Sequence, residues 1–167
     1  EFVEMMNQKA EIIGAEDTHY VNPHGLHDKE HYTTAYDLAV ISRYAMQNDI
    51  FREIVRTEKK VIPWPGHTWS RMLINKNKLV RKPEIYPGVD GIKNGFTTPA
   101  GNCLAASAER NGMRLIAVVL DAGNATNEAV KLFEYGFSSF EQLRLAEEGE
   151  VVHSVKLSGG QSLDLAA

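Results

Sequence analysis

The sequence has a single cysteine, Cys103, so no internal disulfide can form. That thiol falls inside an apolar run, and it reads as an inert core group. No stretch reaches the 18 or so apolar residues of a transmembrane helix, and no signal-peptide pattern is visible. There is no excess of positive charge either. A formal net charge of -4 gives no reason to expect nucleic acid or an anionic membrane surface as a partner. Internal repeats and low-complexity segments are absent. No methionine or capping residue precedes the opening helical pattern of Glu1 to Ala10, so the expectation is a fragment. What is present, 167 residues with 43% hydrophobic and 24% charged, is an ordinary globular composition, enough for one core or for one domain and part of another.

Periodicity divides the chain. Residues 2 to 13 place Phe2, Met5, Met6, Ala10 and Ile13 on one helical face, and Gly14 stands where a helix would stop. Residues 15 to 33 are polar and loop-like. Thr34 followed by Asp37 is a capping-box variant, predicting a helix through about Asn48 with Leu38, Ile41 and Ala45 inward. Residues 57 to 88 carry Pro63, Pro65, Gly66, Pro83, Pro87 and Gly88, which argues against long regular elements. Two apolar runs, 102 to 109 and 113 to 121, meet at Arg110-Asn111-Gly112, a strong hairpin signal. Met113 to Leu120 is nearly all apolar and is expected to be a central strand covered on both faces. A helix should follow over 126 to 140, with Val130, Phe133, Phe137 and Phe140 on one stripe. Beyond Leu145, Glu147 to Glu150 reads as a solvated linker. The alternation of Val151, His153, Val155 and Leu157, with Gly159-Gly160 before Leu163 and Leu165, reads as a β-hairpin opening a separate β-rich unit.

The most informative stretch is Val89 to Thr98, a short strand running through Lys93-Asn94-Gly95 into Phe96, Thr97 and Thr98. A lysine on a strand edge beside a glycine offers an anionic ligand a fixed charge and room against the backbone. The bland alternative is a surface strand with a solvated lysine.

Several segments in order decide between them. They are Phe2 to Asn7, Asp17-Thr18-His19-Tyr20 with Pro23-His24-Gly25-Leu26, Thr34 to Ala39, Val89 to Lys93, Ala100 to Leu104, and Tyr135-Gly136-Phe137. Across more than 130 residues their spacing resembles the later part of the catalytic domain of serine-type D-alanyl-D-alanine carboxypeptidases, low-molecular-mass penicillin-binding proteins. Lys93-Asn94-Gly95 is similar to that family's Lys-Thr-Gly strand, with asparagine in the middle position.

The resemblance implies an α/β (α+β type) fold, an antiparallel sheet flanked by helices, DD-peptidase/β-lactamase-like and incomplete. Residues 1–145 would be the C-terminal part of the catalytic domain. Within it, 1–85 would be a mostly helical subdomain and 86–145 the sheet and final helix. Residues 146–167 would be the linker and start of a β-rich second domain. It implies a penicillin-sensitive enzyme outside the cytoplasmic membrane, membrane-associated in the parent protein. Such an enzyme takes the terminal D-alanine from peptidoglycan stem peptides through a serine acyl-enzyme, with no cofactor. Its partners would be stem peptides, β-lactams and the missing N-terminal half of the domain. Lys93 would hold the substrate carboxylate or keep the site's proton balance, Asn94 would take a hydroxyl's place, and Gly95 would let substrate pair with the strand. The Phe96 N–H would be an oxyanion donor, and Thr97 completes the binding set. Two departures stand out. No serine has lysine three residues on or asparagine two on, so the fragment itself should be inactive. And Asp121 to Glu128 contains no arginine, where many relatives carry one. A non-catalytic homologue that binds peptidoglycan peptides or a protein partner is the alternative.

Two further clusters offer other chemistry. His24, His27 and His31, with His19, have spacing that could bind zinc, but Pro23 and Gly25 break a helical arrangement and no cysteine completes the set. They read as loop histidines with no metal. Trp64 and Trp69 around Pro65-Gly66-His67 read as loop anchors sooner than as a ligand-binding lip.

Overall fold

The computed structural model describes residues 1–147, 149–156 and 162–166. Helix α1 (Phe2–Ile12) ends where Gly14 takes a φ of +86°. The loop behind it is clamped to α1 by Asn7, whose amide donates to the Tyr20 carbonyl at 2.9 Å and accepts the Tyr20 N–H at 2.7 Å. The expected apolar face of α1 is only partly buried: Phe2 and Met5 are exposed, Met6 and Ile13 are half-buried, and Ala10 is the one fully buried residue of the helix.

Helix α2 (Ala35–Ala45) begins as expected, with the Thr34 hydroxyl accepting the Asp37 N–H at 3.1 Å. The reciprocal half of the capping box is replaced. The Asp37 carboxylate, almost fully buried, accepts from the Thr18 hydroxyl at 2.6 Å and so ties the loop to the helix start. Thr34→Ala should therefore cost about 1 kcal/mol, read as a lower melting temperature, because it removes the cap acceptor alone. The helix stops short of Asn48, because the Asn48 side chain caps a separate helix α3 (Asp49–Arg56) through the Phe51 N–H at 3.0 Å. Leu38, Ile41 and Ala45 are only half-buried, and the fully buried positions of α2 are Asp37 and Ser42.

The stretch 59–74 departs from the expected mostly helical makeup of residues 1–85. Strands β1 (Lys59–Pro63) and β2 (Ser70–Ile74) pair antiparallel, with prolines at the β1 end and in the turn rather than inside the ladder. Two asparagines fix this hairpin to the body. Asn75 donates to the Val55 and Thr57 carbonyls at 2.9 and 3.1 Å. Buried Asn77 caps the short helix α4 (Lys78–Arg81) through the Leu79 N–H and donates to the Gly91 carbonyl at 3.0 Å.

Strands β3 (Val89–Thr97), β4 (Gly101–Arg110) and β5 (Met113–Val119) form an antiparallel sheet in the order β3-β4-β5. The β4–β5 turn is the expected one, with Asn111 and Gly112 at φ +52° and +81°. One expectation is reversed: β4 is central, and β5 lies at an edge among the described residues. The continuous apolarity of β5 reflects cover on its faces by α2 and by helix α5 (Ala125–Ser139), which says nothing about its place in the sheet. The core lies between α5 and the sheet, where Phe133, Ala129 and Ala125 meet Leu104, Ala106, Ala108, Ala117 and Val119, with Leu79 and Tyr86 closing it. Val130 and Phe137 pack at its margin as expected, whereas Phe140 is an extended C-cap residue left exposed.

The Tyr86 hydroxyl is buried and has no partner at hydrogen-bond distance among the described residues. Burial, with the Glu134 carboxylate nearby, holds its pKa above the ordinary phenol value of 10.0. The folded state therefore retains this proton more firmly than the unfolded chain. Its contribution is complete below pH 10 and is lost as pH rises above it. Tyr86→Phe should keep or raise thermal stability at pH 7 and flatten the decline above pH 10 in a pH series of unfolding curves.

The terminal strands β6 (Val151–Lys156) and β7 (Ser162–Ala166) pair antiparallel as expected, with β6 exposed along its whole length. Leu157, Gly159 and Gly160 lie outside the described residues.

Candidate active site

Strand β3 has β4 on one side and, among the described residues, no strand on the other. Its first half is locked in place. Gly91 faces α3 so closely that a Cβ there would stand 2.9 Å from Val55 Cγ2. The Asp90 carboxylate accepts from the Ser107 hydroxyl and the Arg114 guanidinium, so one side chain ties β3 to both other strands, and Arg114 also bonds Glu109. Burial would lower the Arg114 pKa, but hydrogen bonds and charge from Asp90 and Glu109 outweigh it and hold the group above its ordinary value.

The second half carries the candidate residues on this rigid base. Lys93 is exposed, and its ammonium donates to the neighbouring Asn94 carbonyl. Gly95 has no atom within 4 Å of where a Cβ would stand. Packing explains glycine at 91 and does not explain it at 95, where the open side faces solvent. Phe96 is 67% exposed. Thr97 serves the β3–β4 turn, its hydroxyl accepting the Ala100 N–H at 3.2 Å.

The structure brings some of these residues together and separates others. Lys93 pairs with Ala105 and Asn94 with Leu104, and consecutive strand side chains leave on opposite faces. Asn94, Gly95 and Phe96 line a polar cavity of about 210 Å³ at the start of α5, which Lys93 does not line. Lys76, Lys78 and Asn102 share that cavity, and sequence reasoning missed them. Their signal was the Asn75-Lys76-Asn77-Lys78 run, in which alternate asparagines cap and bridge while alternate lysines are left exposed. Two ammonium groups and the amides of Asn77, Asn94, Asn102 and Asn124 suit an anionic or peptide ligand. No basic residue occurs over Asp121 to Glu128, so these lysines are the cations that line the cavity with the start of α5. Cys103 is half-buried beside them, its thiol donating to the Ala100 carbonyl at 3.3 Å.

The other clusters shape loops. His19 exchanges backbone hydrogen bonds with Tyr32 at 2.9 and 3.0 Å, and its Nδ1 lies 2.6 Å from the Glu30 carbonyl. The Nδ1 atoms of His31 and His24 accept the Val21 and Leu26 N–H groups at 3.2 and 3.1 Å. Trp64 and Trp69 stack on each other at the tip of the β1–β2 hairpin, with ring centroids 5.3 Å apart.

The family described as D-alanyl-D-alanine carboxypeptidase matches residues 1–124. The D-alanyl-D-alanine carboxypeptidase DacF of Bacillus subtilis is 35% identical over 165 residues, 96% of this chain and 41% of its own length. The DacD carboxypeptidase of Escherichia coli is 36% identical over 170 residues, 99% of this chain and 42% of its own. This chain thus spans about two fifths of the length of these relatives. Among solved structures, the Streptomyces K15 DD-transpeptidase superposes with a TM-score of 0.75 at 30% identity, covering 82% of this chain and 54% of that one. The DacD carboxypeptidase of Francisella tularensis gives 0.75 at 25% identity, with 99% and 53% covered.

Proposed function

Because this chain belongs to the D-alanyl-D-alanine carboxypeptidase family, we propose that the outer edge of β3 is the peptide-binding wall of a serine acyl-transfer site. That site would remove the terminal D-alanine of peptidoglycan stem peptides and be sensitive to penicillin. The observation that carries the reading is the β3 edge itself: unpaired among the described residues, with Lys93 exposed and open space over Gly95. A peptide lying along such an edge gains main-chain hydrogen bonds, and an ammonium at Lys93 attracts its terminal carboxylate. The Phe96 N–H would face the oxyanion as the scissile carbonyl becomes tetrahedral.

The 167 residues hold neither Ser-x-x-Lys nor Ser-x-Asn. The attacking hydroxyl and its base therefore come from a segment other than these residues, and this chain by itself binds and orients without hydrolysing. The active protein works outside the cytoplasmic membrane, and residues 146–167 open a second, β-rich unit.

The experiment compares the 167-residue chain with a chimera in which the preceding segment of the Bacillus relative is fused ahead of Glu1. The chain alone should take up no fluorescent penicillin and release no D-alanine from a diacyl-Lys-D-Ala-D-Ala peptide, and the chimera should do both. A folded chimera that does neither would contradict the reading and favour a non-catalytic peptide binder. A second expectation concerns Gly95→Val. Its side chain enters open space, so thermal stability should hold within about 0.5 kcal/mol, while peptide-dependent acylation of the chimera falls at least tenfold. Loss of both together would mean that Gly95 serves the fold and not the ligand.

A further inference from the structure

The β1–β2 hairpin takes no part in the site just described, and its surface is unusual. Almost every residue from Lys59 to Ile74 is exposed, including Val61, Trp69, Met72 and Ile74, each at more than half of its full surface. Val61 faces Met72 across the ladder and Lys59 faces Ile74. Apolar pairs left in water on a projecting hairpin mark an interaction surface.

Charge indicates what that surface meets. Residues 56–82 hold eight lysines and arginines against one carboxylate, Glu58, in a chain whose formal net charge is -4. The acidic average conceals this basic segment: Lys59, Lys60 and Arg71 lie in the hairpin strands themselves, while Lys76 and Lys78 line the cavity beside β3. At the tip the aromatic groups cluster: the Arg71 guanidinium lies 3.6 Å from the Trp64 ring centroid, Trp64 stacks on Trp69, and the His67 ring is 4.9 Å from Trp69. Tryptophan prefers the headgroup depth of a bilayer, where its ring is half dry and its N–H is wet. Lysine and arginine at the same level are drawn to anionic headgroups. A soluble polyanion would engage the cations but gain nothing from Val61 and Met72. Lipid satisfies both.

We propose that the β1–β2 hairpin docks this domain on an anionic lipid surface, its tryptophan tip and exposed aliphatic side chains entering the interface while the surrounding lysines meet the headgroups. Asn75 and Asn77 make the hairpin a fixed extension of α3, α4 and β3, so docking would orient the whole domain. No helix among the described residues is long and apolar enough to cross a membrane, and this contact needs none.

Both tryptophans of the chain are in this tip, so tryptophan emission reports on the hairpin alone. With the 167-residue chain, phosphatidylglycerol vesicles should shift the emission to the blue, and brominated acyl chains should quench it. Phosphatidylcholine vesicles should do neither at the same lipid concentration. Lys59→Gln with Lys60→Gln, which spares the Arg71–Trp64 stack, should weaken partitioning about thirtyfold, whereas Lys9→Gln with Lys131→Gln should leave it unchanged. Should the hairpin variant misfold, the quenching of the unmodified chain decides alone. An unshifted emission, an equal shift with phosphatidylcholine, the same shift from soluble polyphosphate, or an equal loss in the Lys9/Lys131 control would each overturn the proposal.

Discussion

Lys93→Ala should slow penicillin acylation of the chimera about 10²- to 10³-fold, the range seen when one charge-stabilising group is removed from an acyl-transfer site. The melting temperature should not move. Lys93 is exposed, and among the described residues the one bond its ammonium makes is to the carbonyl of its own neighbour, Asn94, so its loss leaves no buried group unpaired. A folded variant that acylates at the original rate would remove Lys93 from the site. Lys93→Arg keeps the charge and changes its shape, and should recover part of the rate. A drop in stability parallel to the drop in rate would instead assign the lysine to the fold.

Phe133→Ala should destabilise the chain by about 3–5 kcal/mol, measured by denaturant unfolding. Phe133 is 1% exposed, stacks on Tyr86 with centroids 5.5 Å apart, and is the largest fully buried side chain among the described residues. Ordinary domains are stable by only about 5–15 kcal/mol, so this change alone should leave a substantial unfolded population at 37 °C. Phe140→Ala supplies the contrast. The two residues lie seven apart and read as one stripe in the sequence, but Phe140 is 60% exposed beyond the helix end. Its replacement should cost no more than about 1 kcal/mol. Equal costs would mean that Phe140 is packed as deeply as Phe133.

The difference between those two phenylalanines shows what the sequence makes legible. Helical period alone places 133, 137 and 140 together; where the helix ends decides which of them is buried, and that depends on tertiary contacts. The Asn111-Gly112 turn was legible because only residues tolerant of positive φ fit it. The position of β5 was not, since helices covering both faces give an edge strand the same apolar run as a central one. The β1–β2 hairpin was hidden by its prolines, which lie at the strand end and in the turn, outside the paired interior. In the site, Lys93 to Thr97 could be named from local pattern. Lys76 and Lys78 could not, because Asn77 brings them to the cavity through a hydrogen bond to Gly91, fourteen residues away. The net charge misled in the same way, averaging a basic hairpin with acidic surroundings.

Peptide binding along the outer edge of β3 underlies every role assigned to Lys93 to Thr97. Titrating the isotopically labelled 167-residue chain with diacetyl-L-Lys-D-Ala-D-Ala, and following backbone amide resonances, tests it without any catalytic step. The account predicts the largest shifts at Lys93 to Thr97, abolished by Gly95→Val and reduced by Lys93→Ala. Shifts centred on the histidine loop or on the β1–β2 hairpin, with β3 unmoved at millimolar peptide, would contradict it.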